Sequence, residues 1–474
     1  MKNIVWIVVS LIFILPIEAK IKLPAIIGDN MVLQQNAEAN LWGWAAASRK
    51  VTVKTSWDNQ LYTTTSTANG EWKLQVRTPT AGGPFEITLS DGEPITISNV
   101  LIGEVWLCSG QSNMEMPVKG FRGQPVSGSC DAIATASPID NIRMMTLKIN
   151  SSQTLLDDCI ATSWMESSPA NVADFSATAY FFARYLRKVL NVPVGVVCSS
   201  WGGSKIESWI NKEVYTEKFP EISLSVLTKN PKDISRPKDE PTLLYNAMIH
   251  PIKQFTIKGT IWYQGESNLN NPKVYRQLFP AMVESWRKEW KQGEFPFYYV
   301  QIAPYDYGRK NADHTEAAEI RQVQLECLKE IPNSGMVVTS DIGNRTCVHP
   351  SAKEEVGQRL ALWALANTYQ RSGTPYSGPL YKSSTTDNNK MIIEFDYAEM
   401  GMTSYDQEIV GFEIAGNDGV YHPAEATLFD NKTKVVLTSE QVSRPVFVKY
   451  GFRNYQPLNL FSNFGLPASP FIVK

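Results

Sequence analysis

Short runs of alternating apolar and polar residues follow residue 20. Ala39-Asn40-Leu41-Trp42-Gly43-Trp44, Lys50-Val51-Thr52-Val53-Lys54, Glu71-Trp72-Lys73-Leu74-Gln75-Val76 and Phe85-Glu86-Ile87-Thr88-Leu89 each repeat with period two, and Gly, Asn and Pro separate them. Period two sends successive side chains to opposite faces of a strand, and turn residues at this spacing predict a β-sandwich over 20–100. From 101 to 370 the pattern changes. Apolar runs at 104–108, 192–198, 257–263, 297–302 and 336–340 alternate with helical stretches at 173–190, 274–290, 316–329 and 352–367. That alternation predicts a mostly parallel sheet covered by helices. Short strands return in 371–474, at 390–397, 409–415, 426–430, 434–438 and 446–449, with a turn at Asp430-Asn431-Lys432-Thr433. This last region either forms a third unit or returns to pack with the first.

Residues 1–19 have a different pattern again. Lys2 precedes an apolar run from Ile4 to Leu15, and Pro16-Ile17-Glu18-Ala19 places a small residue where a leader would be cut. The run is short for a membrane span, no Cys follows it for a lipid anchor, and no second run of the kind occurs. The expectation is a signal peptide and a mature chain without a membrane span, secreted or periplasmic. The six cysteines (108, 130, 159, 198, 327 and 347) show no Cys-x-x-Cys pairing, which gives a structural zinc site little support. An oxidising compartment permits bridges among them, and Cys130 and Cys159 flank one polar segment.

Composition narrows the function classes. The chain is 474 residues long, 43% hydrophobic and 19% charged, which excludes a disordered, collagenous or coiled-coil protein. Lys plus Arg total 45 against 47 for Asp plus Glu, with no basic stripe, so a nucleic-acid partner is not expected. Thirteen Trp, 19 Tyr and 19 Phe supply core volume, and some of them could stack on sugar rings.

In open α/β sheets ligands bind beyond the carboxyl ends of the strands, so the loops after the predicted strands are where chemistry is sought. Those loops carry Ser109-Gly110-Gln111-Ser112-Asn113-Met114, Ser199-Ser200-Trp201-Gly202-Gly203-Ser204, Gln264-Gly265-Glu266-Ser267-Asn268, and Asp341-Ile342-Gly343 leading to His349-Pro350. Acyl transfer by a serine needs a nucleophile, a base and donors for the oxyanion. Ser112 is the candidate nucleophile, with Gly110 permitting a tight turn, although Gly202-Gly203-Ser204 matches Gly-x-Ser equally well and Met114 replaces the second Gly of a nucleophile elbow. His349 is the candidate base because Ser351-Ala352-Lys353-Glu354 reads as a capping box that would fix its loop. Backbone N–H groups of Ser112 and Gly203 and the side chain of Asn268 could form the oxyanion hole. An Asp-x-x-His pattern would need an acid at 346, where Thr346 stands; Asp341, Glu354 and Glu355 are nearby alternatives, and a backbone carbonyl could orient the imidazole instead.

Gly103-Glu104-Val105-Trp106-Leu107-Cys108-Ser109-Gly110-Gln111-Ser112-Asn113-Met114, Trp262-Tyr263-Gln264-Gly265-Glu266-Ser267-Asn268 and Val348-His349-Pro350 resemble the sialate O-acetylesterase family, a branch of the SGNH hydrolases. Gly28-Asp29-Asn30-Met31-Val32-Leu33-Gln34, Gly411-Phe412-Glu413-Ile414-Ala415-Gly416 and Leu466-Pro467-Ala468-Ser469-Pro470-Phe471 extend the resemblance to both flanks. It implies an α/β fold: an SGNH-hydrolase-like three-layer α/β/α catalytic domain over 101–370 with flanking β-sandwich structure. It also implies hydrolysis of O-acetyl esters of sialic acids, 9-O-acetyl favoured, with no metal or other cofactor. The family's serine falls on Ser112, its glycine on Gly202 or Gly203, its asparagine on Asn268 and its histidine on His349. Gln111, Gln264, Glu266 and Arg321 are candidate substrate-binding residues, and Arg122, Arg309 and Arg321 are candidate partners for a sialic acid carboxylate. The alternatives are an acetylesterase acting on plant polysaccharides such as acetyl-xylan, and a non-catalytic carbohydrate-binding protein that uses the Trp-rich β-regions. A lipase or thioesterase would be expected to show a long apolar lid, and none is evident.

Overall fold

The computed structural model describes residues 20–308 and 314–474. The apolar leader at 1–19 and the candidate Arg309 lie outside the described residues. The chain begins with β1 (Val32–Gln34), β2 (Glu38–Trp44), β3 (Lys50–Thr55), β4 (Leu61–Thr65), β5 (Glu71–Arg77), β6 (Gly82–Ser90) and β7 (Pro94–Gly110). The period-two pattern takes effect as predicted: Val51 and Val53 of β3 and Trp72 and Val76 of β5 face inward while their neighbours face solvent. β2 pairs with β5, β3 lies between β4 and β6, and β6 pairs with the first half of β7, all antiparallel.

β7 then continues into a second setting. Its second half is flanked by β10 (Val194–Ser200) and β11 (Gly259–Tyr263) in a sheet completed by β8 (Ile142–Thr146), β9 (Met165–Glu166), β12 (Phe297–Val300) and β13 (Ser334–Val337). The order is β13-β12-β11-β7-β10-β8-β9, parallel throughout except for β9. Successive residues of β7 enter different cores. Val105 and Leu107 join the cluster that holds Trp262 and Trp286, whereas Trp106 and Cys108 join the one that holds Phe181 and Leu360. A strand buried on both faces reads as a continuous apolar run, which is why this one was legible. β8 was not among the expected strands, because Arg143 breaks its apolar run. That guanidinium is 3% exposed and is held by Glu166 at 2.6 Å.

The helices are α1 (Ser112–Glu115), α2 (Ser129–Ala134), α3 (Pro169–Asp174), α4 (Ala177–Leu190), α5 (Lys212–Lys218), α6 (Pro272–Trp290), α7 (Glu316–Glu330) and α8 (Lys353–Trp363). The single helix expected over 173–190 is divided between α3 and α4. Ser176 caps α4 by accepting from Ala179 N–H at 3.1 Å, and its hydroxyl donates to the Met114 carbonyl at 2.6 Å. The capping box expected at Ser351 does not form: Ser351 meets Ser127 at 3.1 Å, and Glu354 pairs with Arg184 at 2.6 Å. Among the described residues no helix is long and apolar enough to cross a membrane. All six cysteines are unbridged.

Residues after Leu380 form short antiparallel strands with their own apolar cluster around Ile393, Ile414, Leu437 and Phe471. They are fastened to the central sheet by polar contacts. Gln301 donates to Ser469 at 3.0 Å, Ser340 donates to the Ala468 carbonyl at 3.0 Å, and Arg321 of α7 donates to the carbonyls of Arg453 and Asn454.

Gly110 ends β7 with φ +142°, where a Cβ would lie 2.1 Å from the Tyr263 carbonyl oxygen. Gly110→Ala is therefore expected to lower stability by about 2–4 kcal/mol through strain and strand displacement. Urea unfolding checks this; an unchanged midpoint would mean that the turn has room for a side chain.

Candidate active site

The strand ends bring four distant segments together. Gly110 delivers the chain from β7 into a turn in which Gln111 N–H donates to the Tyr263 carbonyl at 2.9 Å, and Ser112 begins α1. Ser112 Oγ lies 2.8 Å from His349 Nε2, although 237 positions separate the two residues. Gly202, after β10, lies against the same serine: a Cβ on it would be 3.4 Å from Ser112 Cβ. Its N–H donates to Glu115, and its carbonyl accepts from Lys238 Nζ at 2.7 Å. Gly203 has φ +72°, and a Cβ there would meet the Lys238 ammonium at 2.6 Å.

Asn268 and Gln264, after β11, join this loop to their own. Asn268 Oδ1 accepts from Ile206 N–H at 3.1 Å and from Gln264 Nε2 at 2.7 Å, while Gln264 also donates to the Ser204 carbonyl at 3.1 Å. One proton of the Asn268 amide goes to Glu207 at 2.8 Å, which leaves the other available. Gln111 Oε1 accepts from Gly265 and Ser267 N–H, both at 3.3 Å. Glu266 Oε1 accepts from Asn113 Nδ2 at 2.6 Å. Gln111, Gln264 and Glu266, expected to bind substrate, thus tie the loops to one another.

Asn113, which sequence reasoning quoted but gave no role, is the centre of these ties. Fully buried, it donates both to Glu266 and to the carbonyl of Val348, the residue before His349, at 3.1 Å. Its Oδ1 accepts from the buried Lys353 Nζ at 2.5 Å. Burial pulls the Lys353 amine down to about 7, opposed by the nearby Glu266 carboxylate, and burial pushes the Glu266 carboxyl above its ordinary range.

His349 Nδ1 faces Gln124 Oε1 at 2.6 Å, and Phe121 packs edge-on to the imidazole with ring centres 5.2 Å apart. Asp341 and Glu354, expected as third members, are engaged elsewhere. Asp341 forms a two-pronged pair with Arg359 at 2.8 and 2.6 Å, and Glu354 pairs with Arg184 across to α4. Thr346 binds Asn344 within its own turn. No sequence signal marked Gln124, an amide in a loop 225 positions from the histidine. Arg321 is 1% exposed and joins α7 to the C-terminal strands, and burial pulls its guanidinium down to about 10. Arg122 is exposed in the loop that carries Phe121 and Gln124. Lys238 is the cation beside the glycine loop, and nothing in its local sequence pointed there.

Burial, reinforced by the nearby Lys353 charge, pulls the His349 imidazole down to about 4. At neutral pH it is uncharged. With Nδ1–H given to the Gln124 oxygen, Nε2 presents its lone pair to the serine hydroxyl. A pair in this state can take the serine proton as a carbonyl carbon approaches, and N–H donors beside it can hold the resulting oxyanion.

This arrangement, on a mixed α/β fold, is one that ester hydrolysis could use, and comparisons with known proteins give the class. Residues 102–366 match the family described as carbohydrate esterase, sialic acid-specific acetylesterase. The chain belongs to that family. It is similar to the sialate O-acetylesterases of Mus musculus and Homo sapiens, each 28% identical over 94% of this chain, covering 93% and 91% of those proteins respectively. A solved carbohydrate acetylesterase from Xanthomonas citri is 34% identical over 96% of this chain and 99% of its own, with a TM-score of 0.87. The chain is a carbohydrate esterase.

The low position of His349 has a direct consequence for the pH profile. If this imidazole is the base, kcat/KM should remain flat through pH 6 and fall only as pH drops through about 4, where the ring becomes charged. Gln124→Glu places a carboxylate at Nδ1, favours imidazolium and should move that limb upward. A pH series with p-nitrophenyl acetate checks both. A wild-type limb near the ordinary value of about 6.5 would contradict the assignment.

Proposed function

We propose that this enzyme removes O-acetyl groups from sialic acids, the 9-O-acetyl ester favoured, through an acetyl-enzyme on Ser112. The observation that carries the mechanism is the contact of 2.8 Å between Ser112 Oγ and a neutral His349. His349 Nε2 takes the serine proton as Oγ attacks the acetyl carbonyl. The oxyanion is held by the N–H groups of Ser112 and Gly203 and by the remaining proton of the Asn268 amide. Collapse expels the sugar hydroxyl, which leaves with the imidazole proton. Water, deprotonated by the same nitrogen, then attacks the acetyl-enzyme and releases acetate. Gln124 acts as the third member, holding the tautomer through a neutral oxygen. An amide stabilises imidazolium less than a carboxylate would, which leaves more of the barrier to the oxyanion donors.

Lys238 supports the sialate reading. Its ammonium lies over Gly202 and Gly203, beside the serine, where a substrate carboxylate could reach it. The names of the mouse and human relatives point the same way, whereas the Xanthomonas relative is named only for carbohydrate acetyl esters. We further propose that residues 101–370 form a three-layer SGNH-type domain, since both faces of its sheet enter apolar clusters, with β-domains at 20–100 and 371–474. Residues 1–19 are proposed to export the chain to the periplasm or medium.

Acetate release from 9-O-acetylated sialic acid, with acetylated xylo-oligomers in parallel, tests the reading. Ser112→Ala should lose about 10³-fold or more in turnover. Lys238→Gln should raise KM for the sialic acid ester about 5- to 10-fold and leave that for the xylo-oligomer unchanged, as expected for one lost charge-assisted contact. Full turnover by Ser112→Ala would overturn the mechanism. Preference for xylan would retain the mechanism and replace the substrate.

A further inference from the structure

The side of β2 and β5 that carries Trp44, Lys73 and Gln75 takes no part in the serine chemistry. It lies across from the C-terminal end of α6, and between them is a groove of about 720 Å³ lined by Lys73, Lys253, Lys288 and Lys291, with the amides of Asn40 and Gln75. Two carboxylates also reach it. Glu289 is held by Lys253 at 2.5 Å, and Glu38 lies on the exposed β2 edge. With Lys253 paired to Glu289, Lys73, Lys288 and Lys291 against Glu38 leave the groove with a net positive charge. Burial and the facing Lys291 charge pull the Lys73 amine below its ordinary value, a repulsion that a bound anion would relieve.

A second hollow of about 300 Å³ shares Lys73, Lys253 and Gln254 with the groove and is bounded by Trp44. It also carries Glu71, Asp157 and His250, so the place for a carboxylate is the first groove and the place for a sugar ring is Trp44. Trp72 itself faces the core at 3% exposure, so Trp44 supplies the ring that a ligand can reach. Trp44 is half-buried and carries Lys22 Nζ 5.0 Å from its ring centre. The Trp44 ring, the amides and the cations together match a saccharide that bears carboxylates. The combined groove is of ordinary size for a small organic ligand, whose typical pockets measure about 300–1,000 Å³.

The groove is far from Ser112. Asn40 N–H donates to Thr256 Oγ1 at 3.1 Å, and Thr256 precedes the start of β11, whereas Asn268 follows its end. A five-residue strand spans about 16 Å at about 3.3 Å per residue. We propose that this groove is a second, non-catalytic binding site for an acidic oligosaccharide, with carboxylates held between Lys73 and Lys291 and a sugar ring against Trp44. It tethers the enzyme to a carboxylated glycan while the opposite end of the sheet works on acetyl groups. The proposal rests on the lysines and the Trp44 indole, not on which ester reaches Ser112.

Calorimetric titration of the wild-type enzyme with a linear trimer of unacetylated α2,8-linked sialic acid tests it, with xylohexaose as the neutral probe. The expected result is saturable binding of the acidic trimer that weakens with salt, no comparable binding of xylohexaose, and at least a tenfold loss of affinity in Lys73→Gln/Lys291→Gln. Hydrolysis of p-nitrophenyl acetate by that variant should stay within twofold of wild type, which shows that it is folded and separates this outcome from any failure at the serine. The Trp44→Ala variant should also bind more weakly. Equal binding by the lysine variant, equal binding of the neutral oligomer, or no binding by the wild type would each overturn the proposal.

Discussion

Burial of β7 on both faces is the constraint on which the other elements depend. From Val100 to Gly110 every residue but one is apolar or small, and none is exposed. The exception is Glu104, 2% exposed, whose carboxylate accepts from Gln34 at 3.1 Å, Gln35 at 2.6 Å and Tyr369 at 2.8 Å. Leaving such a carboxylate without donors in the interior would cost several kcal/mol. The β1 motif is thereby locked to the strand it flanks, and Gln34 Oε1 accepts in turn from Val105 N–H at 2.9 Å. One strand thus belongs to the antiparallel layer at its start and to the parallel sheet at its end, and it delivers Ser112 at a fixed height above that sheet.

Above the strand ends, order comes from polar groups. Asn113 joins the serine turn to Glu266 and to the backbone before His349, Gln111 ties the same turn to Gly265 and Ser267 N–H, and Gln264 joins that loop to the Ser204 carbonyl. Each hydrogen bond contributes only about 0.5–1.5 kcal/mol net, but an unpaired buried member costs more, so the set favours one arrangement of the loops. The buried Lys353 beneath Asn113 also keeps His349 from charging early. An uncharged imidazole is therefore ready next to Ser112 without a carboxylate behind it.

The two ends of the sheet differ in character. The carboxyl end is enclosed, with glycines where backbone must approach the serine and Lys238 lying directly on them. The amino end is open, and its lysines stand in solvent across a groove. This polarity follows from the parallel topology: loops leaving strand ends converge at one end, and the other is left to the β-layer and the end of α6.

The sequence by itself determined the strands that are buried on both faces, the long helices, and the residue types at the four strand ends, because apolar periodicity and turn chemistry are local properties. Ser112, Gly202 or Gly203, Asn268 and His349 could be picked out as candidates because each stands in a loop after an apolar run, and it was the family resemblance that grouped them. Only the tertiary structure decided which groups oppose them. Gln124 was placed against His349, Lys238 against Gly203, and Asp341 and Glu354 against arginines, since a side chain's partner is set by packing across hundreds of residues. β8 and the division between α3 and α4 escaped the pattern for a related reason: Arg143 and Ser176 look like interruptions until Glu166 and the Met114 carbonyl are brought to meet them.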